Sequence, residues 1–509
     1  MNTSSYQGLY IPLRGLLTAC CAAVLLSACA SFKGIDTSAT LQQSSDYASA
    51  TSLPQQGGQW PDASWAQSIG GAQLQALVDE AIAGNPNLQV AAARVAGAQA
   101  AADVAAASAR PSWSANASST YQRYTENGII PPPLGGEYKS DNQLTLNFSY
   151  DFDFWGKHAA ELRSALSAGK AAQAEQYNAR LMIATAVARG WVQLARQYGQ
   201  LDLNQEQLKA AAEIQRLTQL RFKVGLGTQS ENQQTTQSLA SLRAENAQLN
   251  EAIALTRNQL AALLGKGPDR GLQIERPYLP SETAIALPDA LPLGLIGRRP
   301  DIVAARWHVE AAQGDIDAAK TLFYPNVNIM AFAGFSSLGL SNLLKSGSGI
   351  VGVGPAIYLP IFDRSLRANL KGRVASYDGS VATYNQTLTE ALHDVADQVQ
   401  SLRAATLQSE QQQLATQAAA NSFQLAQQRE RVGTTNMLPV LSAQMTMLSQ
   451  RRIDLDTRAR RSDLRITLIK ALGGGFDAQA QDLDKANPAN SANSDSNSTT
   501  VSTSVRSAS

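Results

Sequence analysis

The chain has 509 residues, 44% of them hydrophobic and only 16% charged, with 42 Lys plus Arg against 41 Asp plus Glu and 3 Cys, all before residue 30. Such a neutral balance offers no basic face for counterion release, which argues against nucleic acid as a partner. With 3 His in all and no Cys beyond Cys29, neither a cofactor nor a metal site is expected.

The chain opens on a targeting segment. Residues 1–14 are polar with one base, Arg14, and an uncharged apolar run of 14 residues follows from Gly15 to Ala28. As a helix this run measures about 21 Å, short of the ~30 Å of a hydrocarbon core, so it reads as a signal peptide over 1–28. Leu26-Ser27-Ala28-Cys29 then resembles the bacterial lipobox, in which cleavage before the cysteine is coupled to its acylation. Those four positions also fit a plain signal peptide with an incidental cysteine. Ala30 in place of Asp implies, in such lipoproteins, delivery to the outer membrane. Cleavage removes one base and no acid, leaving 41 of each sign. Residues 29–58 read as a Ser/Gln/Thr-rich lipidated tether. No apolar run of 18 or more residues follows Cys29, so any passage through a bilayer would be as β-strands.

The remainder is written twice. Asn85-Pro86-Asn87-Leu88 and Arg299-Pro300-Asp301-Ile302 each open an Ala-rich helical run, at an offset of 214. Further on, Arg221-x-x-Val224-Gly225 matches Arg429-x-x-Val432-Gly433 at an offset of 208, which also carries Leu264-Gly265 onto Leu472-Gly473. Chance similarity of Ala/Gln-rich helices would not align the Pro and Gly punctuation. The copies span 59–270 and 298–475, joined by a linker at 271–297 and followed by a low-complexity polar tail at 476–509.

Each copy begins with a helix carrying Pro in its first turn, where a missing N–H costs nothing. Two strands follow, at about 112–125 and 142–155 in the first copy and 325–338 and 349–362 in the second. Leu144, Leu146, Phe148, Tyr150, Phe152 and Phe154 alternate with Thr145, Asn147, Ser149, Asp151 and Asp153, the period of a strand with lipid on one side and water on the other. Packing on a soluble core would give the same pattern. Val327, Ile329, Ala331, Ala333 and Phe335 repeat it, whereas Gly349 to Phe362 is apolar on both faces and leaves the alternation ambiguous. Four strands cannot close a barrel, since about eight is the smallest that fills sensibly. Three chains sharing one barrel would supply twelve. Trp113, Trp155, Tyr324 and Phe362 sit where strand meets helix; they suit an interfacial aromatic girdle or ordinary packing at a junction.

The long helices come next, about 157–264 and 365–472. Lys157 to Val224 contains no Pro and is built from good helix formers, enough for roughly 100 Å of helix. Leu239, Leu242, Asn246, Leu249, Ile253, Thr256, Leu260 and Leu263 keep a 3,4 spacing, a heptad seam, and Leu441 to Ile469 fits it less cleanly. Each Val-Gly therefore marks the turn of an antiparallel coiled-coil hairpin.

In this order, with Arg299-Pro300-Asp301, Tyr324-Pro325, Leu359-Pro-Ile-Phe362-Asp363 and the two Arg-x-x-Val-Gly turns, the chain resembles the TolC-like outer-membrane efflux channels, most closely their NodT-type lipoprotein branch. The resemblance covers about residues 60–475. It implies a mainly α fold with membrane β: a homotrimer with a shared twelve-strand outer-membrane barrel, in contact with outer-membrane lipid, and a periplasmic α-barrel. It also implies docking of the tips, at Val224, Gly225, Val432 and Gly433, to a periplasmic adaptor (a membrane fusion protein) that joins an inner-membrane pump of the RND type. The chain would be a passive conduit for small molecules or drugs. In the family, acidic residues just past the turns line the entrance. Glu231 falls on such a position, where it equally fits a helix-start carboxylate favoured by the dipole. The second copy holds Pro439 and Ser442 instead, which makes the apolar Met437 and Leu438 gate candidates. Met437, Met445 and Met447 suggest core filling rather than soft-metal export.

An enzyme is not expected: no H-E-x-x-H, G-x-S-x-G or phosphate-loop motif occurs, and His158, His308 and His393 stand apart. A channel for type I protein secretion would share these features. A periplasmic adaptor would carry one hairpin, not two, and no membrane-length strands.

Overall fold

The computed structural model describes residues 58–279, 291–360 and 363–478, with short pieces between 32 and 53. The elements run α1 (Trp65–Gly84), α2 (Pro86–Ser108), β1 (Ser112–Arg123), β2 (Tyr138–Phe152), α3 (Lys157–Lys223), α4 (Gln229–Leu263), α5 (Pro268–Leu272), α6 (Leu291–Arg298), α7 (Pro300–Thr321), β3 (Asn326–Leu338), β4 (Gly349–Tyr358), α8 (Arg364–Arg431) and α9 (Met437–Ala471). The duplication is literal: α4 and α9 both have 35 residues, and α3 and α8 have 67 and 68. The chain divides into two compact units, each drawing on both copies. A repeat is thus not a unit of packing.

One unit takes Ala96–Ala171, Arg306–Thr383 and the described residues up to Leu41. Its centre is an antiparallel sheet of order β1-β2-β3-β4. The strand bounds need three corrections. β2 starts at Tyr138, because Tyr138 to Asp141 pair with Arg123 to Thr120 although their polarity reads as loop. It ends at Phe152, which leaves Phe154 and Trp155 in the turn into α3. β4 stops at Tyr358, and Phe362 lies outside the described residues. Beside the sheet, Ile35, Ile316, Ala319 and Leu370 form a small core on which Phe32, Phe323, Val374 and Tyr377 pack. Asp315 accepts from Ser164 Oγ at 2.7 Å and pairs with Arg373 at 2.9 Å.

The other unit takes Gln42–Val95, Ala172–Ala305 and Tyr384 onward. Its core joins both copies: Leu74 and Val78 of α1, Val187, Trp191 and Leu194 of α3, Ile253 and Leu260 of α4, and Ile466 and Ile469 of α9. The seam expected on α4 is on its buried side, with Leu239, Leu249, Ile253, Thr256 and Leu260 all buried. On α9 burial spreads to Val440, Met447, Arg465 and Leu468 as well, which is why its spacing reads less cleanly. In both hairpins an amide of the long helix reaches the same backbone group of the return helix. Asn204 Nδ2 donates to the Leu242 carbonyl at 3.2 Å, and Gln412 Nε2 to the Gln450 carbonyl at 3.1 Å, each pair displaced by 208 from the other. A part-buried polar contact in an otherwise apolar seam favours one register.

All four C-terminal ends of the hairpin helices close in one way. The peptide N–H groups of Gly225 and Leu226 donate to the carbonyls of Phe222 and Arg221 at 3.0 and 2.8 Å; those of Gly433 and Thr434 donate to Glu430 and Arg429, both at 2.9 Å. Gly265 with Lys266 and Gly473 with Gly474 repeat the pattern at the opposite ends. Each is a Schellman cap with glycine at positive φ.

Candidate functional site

Three parts of the molecule bear on function: the sheet, the hairpin turns and the segment that follows Cys29. The strand register settles which side chains share a face of the sheet. One face carries Trp113, Ala115 and Ala117 of β1, Leu144, Leu146, Phe148, Tyr150 and Phe152 of β2, Val327, Ile329, Ala331, Ala333 and Phe335 of β3, and Val351, Val353, Pro355 and Ile357 of β4. Apart from Ser119, Arg123, Ser140, Asn142 and Ser337 near the loop end, this face is apolar. Val351 is 83% exposed and Val353 75%, as no described residue covers them. The other face carries Ser114, Asn116, Ser118, Thr145, Asn147, Ser149, Asp151, Asn326 and Asn328. The ambiguity of β4 resolves here: its second face is Ile350, Gly352, Gly354 and Ala356, and small side chains left no polar signal. β1 and β4 are the edges, each paired on one side only among the described residues.

Aromatic rings gather at the end of the sheet where strands meet helices. Trp113 packs edge-on against Phe148 at 4.8 Å, and Trp155 stacks on Tyr324 at 4.7 Å while its Nε1 donates to the Pro325 carbonyl at 2.8 Å. The opposite end has a second set that the sequence reading missed, Tyr121 stacked on Tyr138 at 5.8 Å, both exposed. The signal was available, since each Tyr lies on the apolar-face register. Trp113 and Tyr121 are separated by eight residues of strand, about 27 Å, or about 20 Å after a ~40° tilt, close to the ~25 Å apolar band of membrane barrels. At the junction with α3, buried His158 lies 3.4 Å from Asp151, 3.5 Å from Glu161 and 3.3 Å from Ser108. It is not the isolated histidine that spacing suggested.

At the hairpin turns Val224 and Val432 are exposed beside Gly225 and Gly433. The first turn also exposes Leu220, Phe222 and Leu226; the corresponding positions of the second are Gln428, Glu430 and Thr434. Past the turns the copies differ in their caps. Glu231 belongs to a capping box: Thr228 Oγ1 accepts from the Glu231 N–H at 3.2 Å, and Glu231 Oε2 accepts from the Thr228 N–H at 2.9 Å. In the second copy the third helical residue is Pro439, which has no N–H, so Asn436 Oδ1 accepts from the Leu438 N–H instead, at 3.1 Å. Met437 is 40% exposed there and Leu438 is half-buried.

The segment after Cys29 is more than a tether. Phe32 packs edge-on against Phe323 at 5.2 Å, Ile35 is buried, and Thr37 Oγ1 donates to Asp378 of α8. In the other unit the Gln42 N–H donates to Asn385 Oδ1 at 2.9 Å, and the Tyr47 hydroxyl lies 2.8 Å from that of Thr389. Cys29 itself lies outside the described residues. Among the described residues no helix is long and apolar enough to cross a membrane, and no cluster of three or more His, Cys, Asp or Glu could hold a metal ion.

The sequence model of a family described as outer membrane efflux protein matches residues 77–266 and 291–474. Over 430 residues the chain is 30% identical to the multidrug resistance outer membrane protein MdtP of Escherichia coli K12, a span covering 82% of this chain and 88% of that one. It is 38% identical over 315 residues to the fusaric acid resistance protein FusA of Burkholderia cepacia, covering 61% of this chain and 59%, less than two thirds, of the relative. Among solved structures it resembles the outer membrane protein VceC of Vibrio cholerae, with a TM-score of 0.74 and 38% identity over 82% of this chain and 100% of that one.

Proposed function

Because this chain belongs to the outer membrane efflux protein family, we propose that three copies of it share one twelve-strand barrel in the outer membrane and form a passive export conduit. The observation that carries this reading is the sheet: one face is apolar and covered by no described residue, the other is polar over β1 and β2, and among the described residues both edges are open. Alone in lipid, each unpaired edge group would cost several kcal/mol, and pairing β1 of one copy with β4 of the next removes both edges. The apolar face then meets lipid between two levels of aromatic rings, with Trp113, Trp155 and Tyr324 at the helix end. The polar face lines water. The helical hairpins continue the conduit into the periplasm.

The turns at Val224-Gly225 and Val432-Gly433 dock a periplasmic adaptor, which couples the conduit to an RND-type inner-membrane pump. Multidrug resistance is in the name of MdtP and fusaric acid resistance in that of FusA; by likeness to them, small organic toxins are the cargo. The entrance lies at the start of α4 and α9, gated by Met437 and Leu438 with Glu231 adding one carboxylate per chain. Cys29 carries lipid. Three residues upstream of Phe32 reach at most about 10 Å, and Phe32 is packed on Phe323, next to Tyr324 of the ring level, so acyl chains on Cys29 would start within reach of the bilayer surface.

The test is the mass and conductance of the full chain purified in detergent. A mass of three chains and discrete ion-conducting steps in planar bilayers are expected. A monodisperse single chain without conductance would overturn the conduit.

A further inference from the structure

The second face of the sheet is polar over β1 and β2 and at Asn326 and Asn328 of β3, and turns apolar from Met330 to Gly334 of β3 and over β4. Across the strands it runs Ser112, Ser149, Met330 and Gly354 in one row, Ser114, Asn147, Phe332 and Gly352 in the next, and Asn116, Thr145, Gly334 and Ile350 in the third. Beside the hydroxyls and amides of β2, Met330 and Phe332 are large, apolar and exposed, at 53% and 42%. Burial does not explain them, for a residue that served only to pack would be covered. The lipid does not explain them either, since they point away from the apolar face by the strand period.

On β4 the neighbour of Phe332 leaves room for its ring. A Cβ added at Gly352 would fall 2.6 Å from two ring carbons of Phe332, so the ring lies over a position that only glycine leaves free. Gly354, beside Met330, has open space where a side chain would be. The ring therefore lies across its own strand pair, with one face against backbone and the remainder open. Asn147 and Ser149 stand beside Phe332 and Met330 on β2, and Asn328, whose Oδ1 has no hydrogen-bond partner, precedes Met330 on the same face.

On the reading that this face lines the conduit, we propose that Phe332, with Met330 beside it, is a specificity-determining residue that holds small planar aromatic solutes during passage. A twelve-strand barrel with ~4.8 Å spacing and ~40° tilt has a backbone radius of about 12 Å. Three rings lying over the wall therefore line the conduit without closing it. An open ring face with a thioether beside it takes an aromatic ring by offset stacking and sulfur contact, worth more than area burial alone. The amides and hydroxyls around it suit polar substituents on that ring. A non-aromatic solute of the same charge gains neither contact and passes unheld.

The experiment uses the full chain in planar bilayers. Naphthalene-2-sulfonate is the aromatic probe and methanesulfonate the control, and each channel is scored against its own salt current. Wild type is expected to show dwell events with the naphthalene probe alone. Phe332→Ser is expected to shorten the mean dwell roughly fivefold, the fold-change one aromatic pair is worth. Gly352→Ala, which displaces the ring and keeps it in the chain, is expected to act in the same direction. Dwell times equal to wild type in both variants, or equal dwell for both probes in wild type, would overturn the assignment. The conduit reading is tested separately by a membrane-impermeant maleimide: Phe332→Cys should label in whole barrels and Ala331→Cys, on the apolar face, should not. Labelling at 332 with unchanged dwell sinks the aromatic site alone, whereas exclusion of the reagent from 332 sinks both.

Discussion

The two copies meet the same backbone demand with different side chains. At the end of each return helix a carbonyl is left over, Leu263 in the first copy and Ala471 in the second. In the first copy Asn85 Nδ2 donates to it at 2.8 Å; in the second Arg299 Nη1 donates at 3.4 Å, from the residue 214 positions on. Asn85 does nothing further than cap its own helix, with Oδ1 accepting from the Asn87 N–H at 2.9 Å. Arg299 also binds Asp301 at 2.7 Å and Asp394 at 3.4 Å. Burial by itself would lower the pKa of its guanidinium, but the hydrogen bonds and charges of the two carboxylates outweigh it and hold the group above its ordinary range. Duplication thus preserved the carbonyl's need for a donor, which the backbone dictates, and left the donor free to recruit partners.

The largest effect that breaks this symmetry is expected at a glycine. Gly433 and Gly473 both end helices at positive φ, but a Cβ on Gly433 meets nothing within 4 Å, whereas one on Gly473 collides with the carbonyl of Arg298. Gly433→Ala should cost about 1 kcal/mol, the left-handed penalty alone. Gly473→Ala adds a backbone clash and should cost roughly 3 kcal/mol or more, read as a lower thermal midpoint. Gly265, whose Cβ would meet the Gly84 carbonyl, should behave like Gly473 and not like Gly433. Equal midpoints for the Ala variants of 433 and 473 would remove the close approach from the account.

Next in size is the donor itself. Arg299→Met leaves Asp301 and the Ala471 carbonyl without their partner and should cost about 2 kcal/mol, less than a fully buried pair because Asp394 is mostly in water. Asn85→Ala loses neutral hydrogen bonds and should cost about 1 kcal/mol. Denaturant midpoints of the two variants compare the copies directly, and the ordering reverses if the carboxylates contribute nothing.

Much of this was legible before any coordinates. The offsets of 214 and 208 predict equal hairpins, and the four glycine ends sit where the Val-Gly and Leu-Gly pairs do. Period-2 alternation predicts the apolar faces of β2 and β3. What stayed hidden was hidden for physical reasons. β4 puts Gly352 and Gly354 where polarity would have marked a face, and the reason for glycine there is a ring on another strand. Phe332 reads as one more apolar strand residue until the register puts it among Ser114, Asn147 and Thr145. The segment after Cys29 is polar on average, yet its few apolar residues, Phe32 and Ile35, are the ones that pack. Asn85 and Arg299 were aligned by the repeat, but no composition rule says that both serve a carbonyl some 170 residues away.

At the starts of α4 and α9 the copies differ again, and here the expected effects are on ions rather than on stability. The start of α9 carries the apolar Met437 and Leu438 and no acid in its first turn; if they form the proposed gate, Leu438→Ser, which leaves the cap from Asn436 to the 438 N–H in place, should raise leak conductance in planar bilayers. Unchanged conductance would leave Met437 as the gate or none at this level.

The smallest expected effect is the most discriminating, because Glu231 has two roles that one substitution separates. Its carboxylate closes the capping box with Thr228, and in the proposed conduit its charge stands at the entrance. Glu231→Gln keeps an oxygen that can accept from the Thr228 N–H, since Gln serves in capping boxes as Glu does, so stability should change by less than about 0.5 kcal/mol. The charge alone is gone. If the carboxylate acts on passing ions, the cation preference of the leak should fall with the helix intact. If it acts only as a cap, selectivity should stay at the wild-type value, and Thr228→Ala, which breaks the cap and keeps the charge, should be the variant that loosens the turn, at about 1 kcal/mol. The first copy's turn would then be held by a box that the second cannot form, because Pro439 has no N–H to offer.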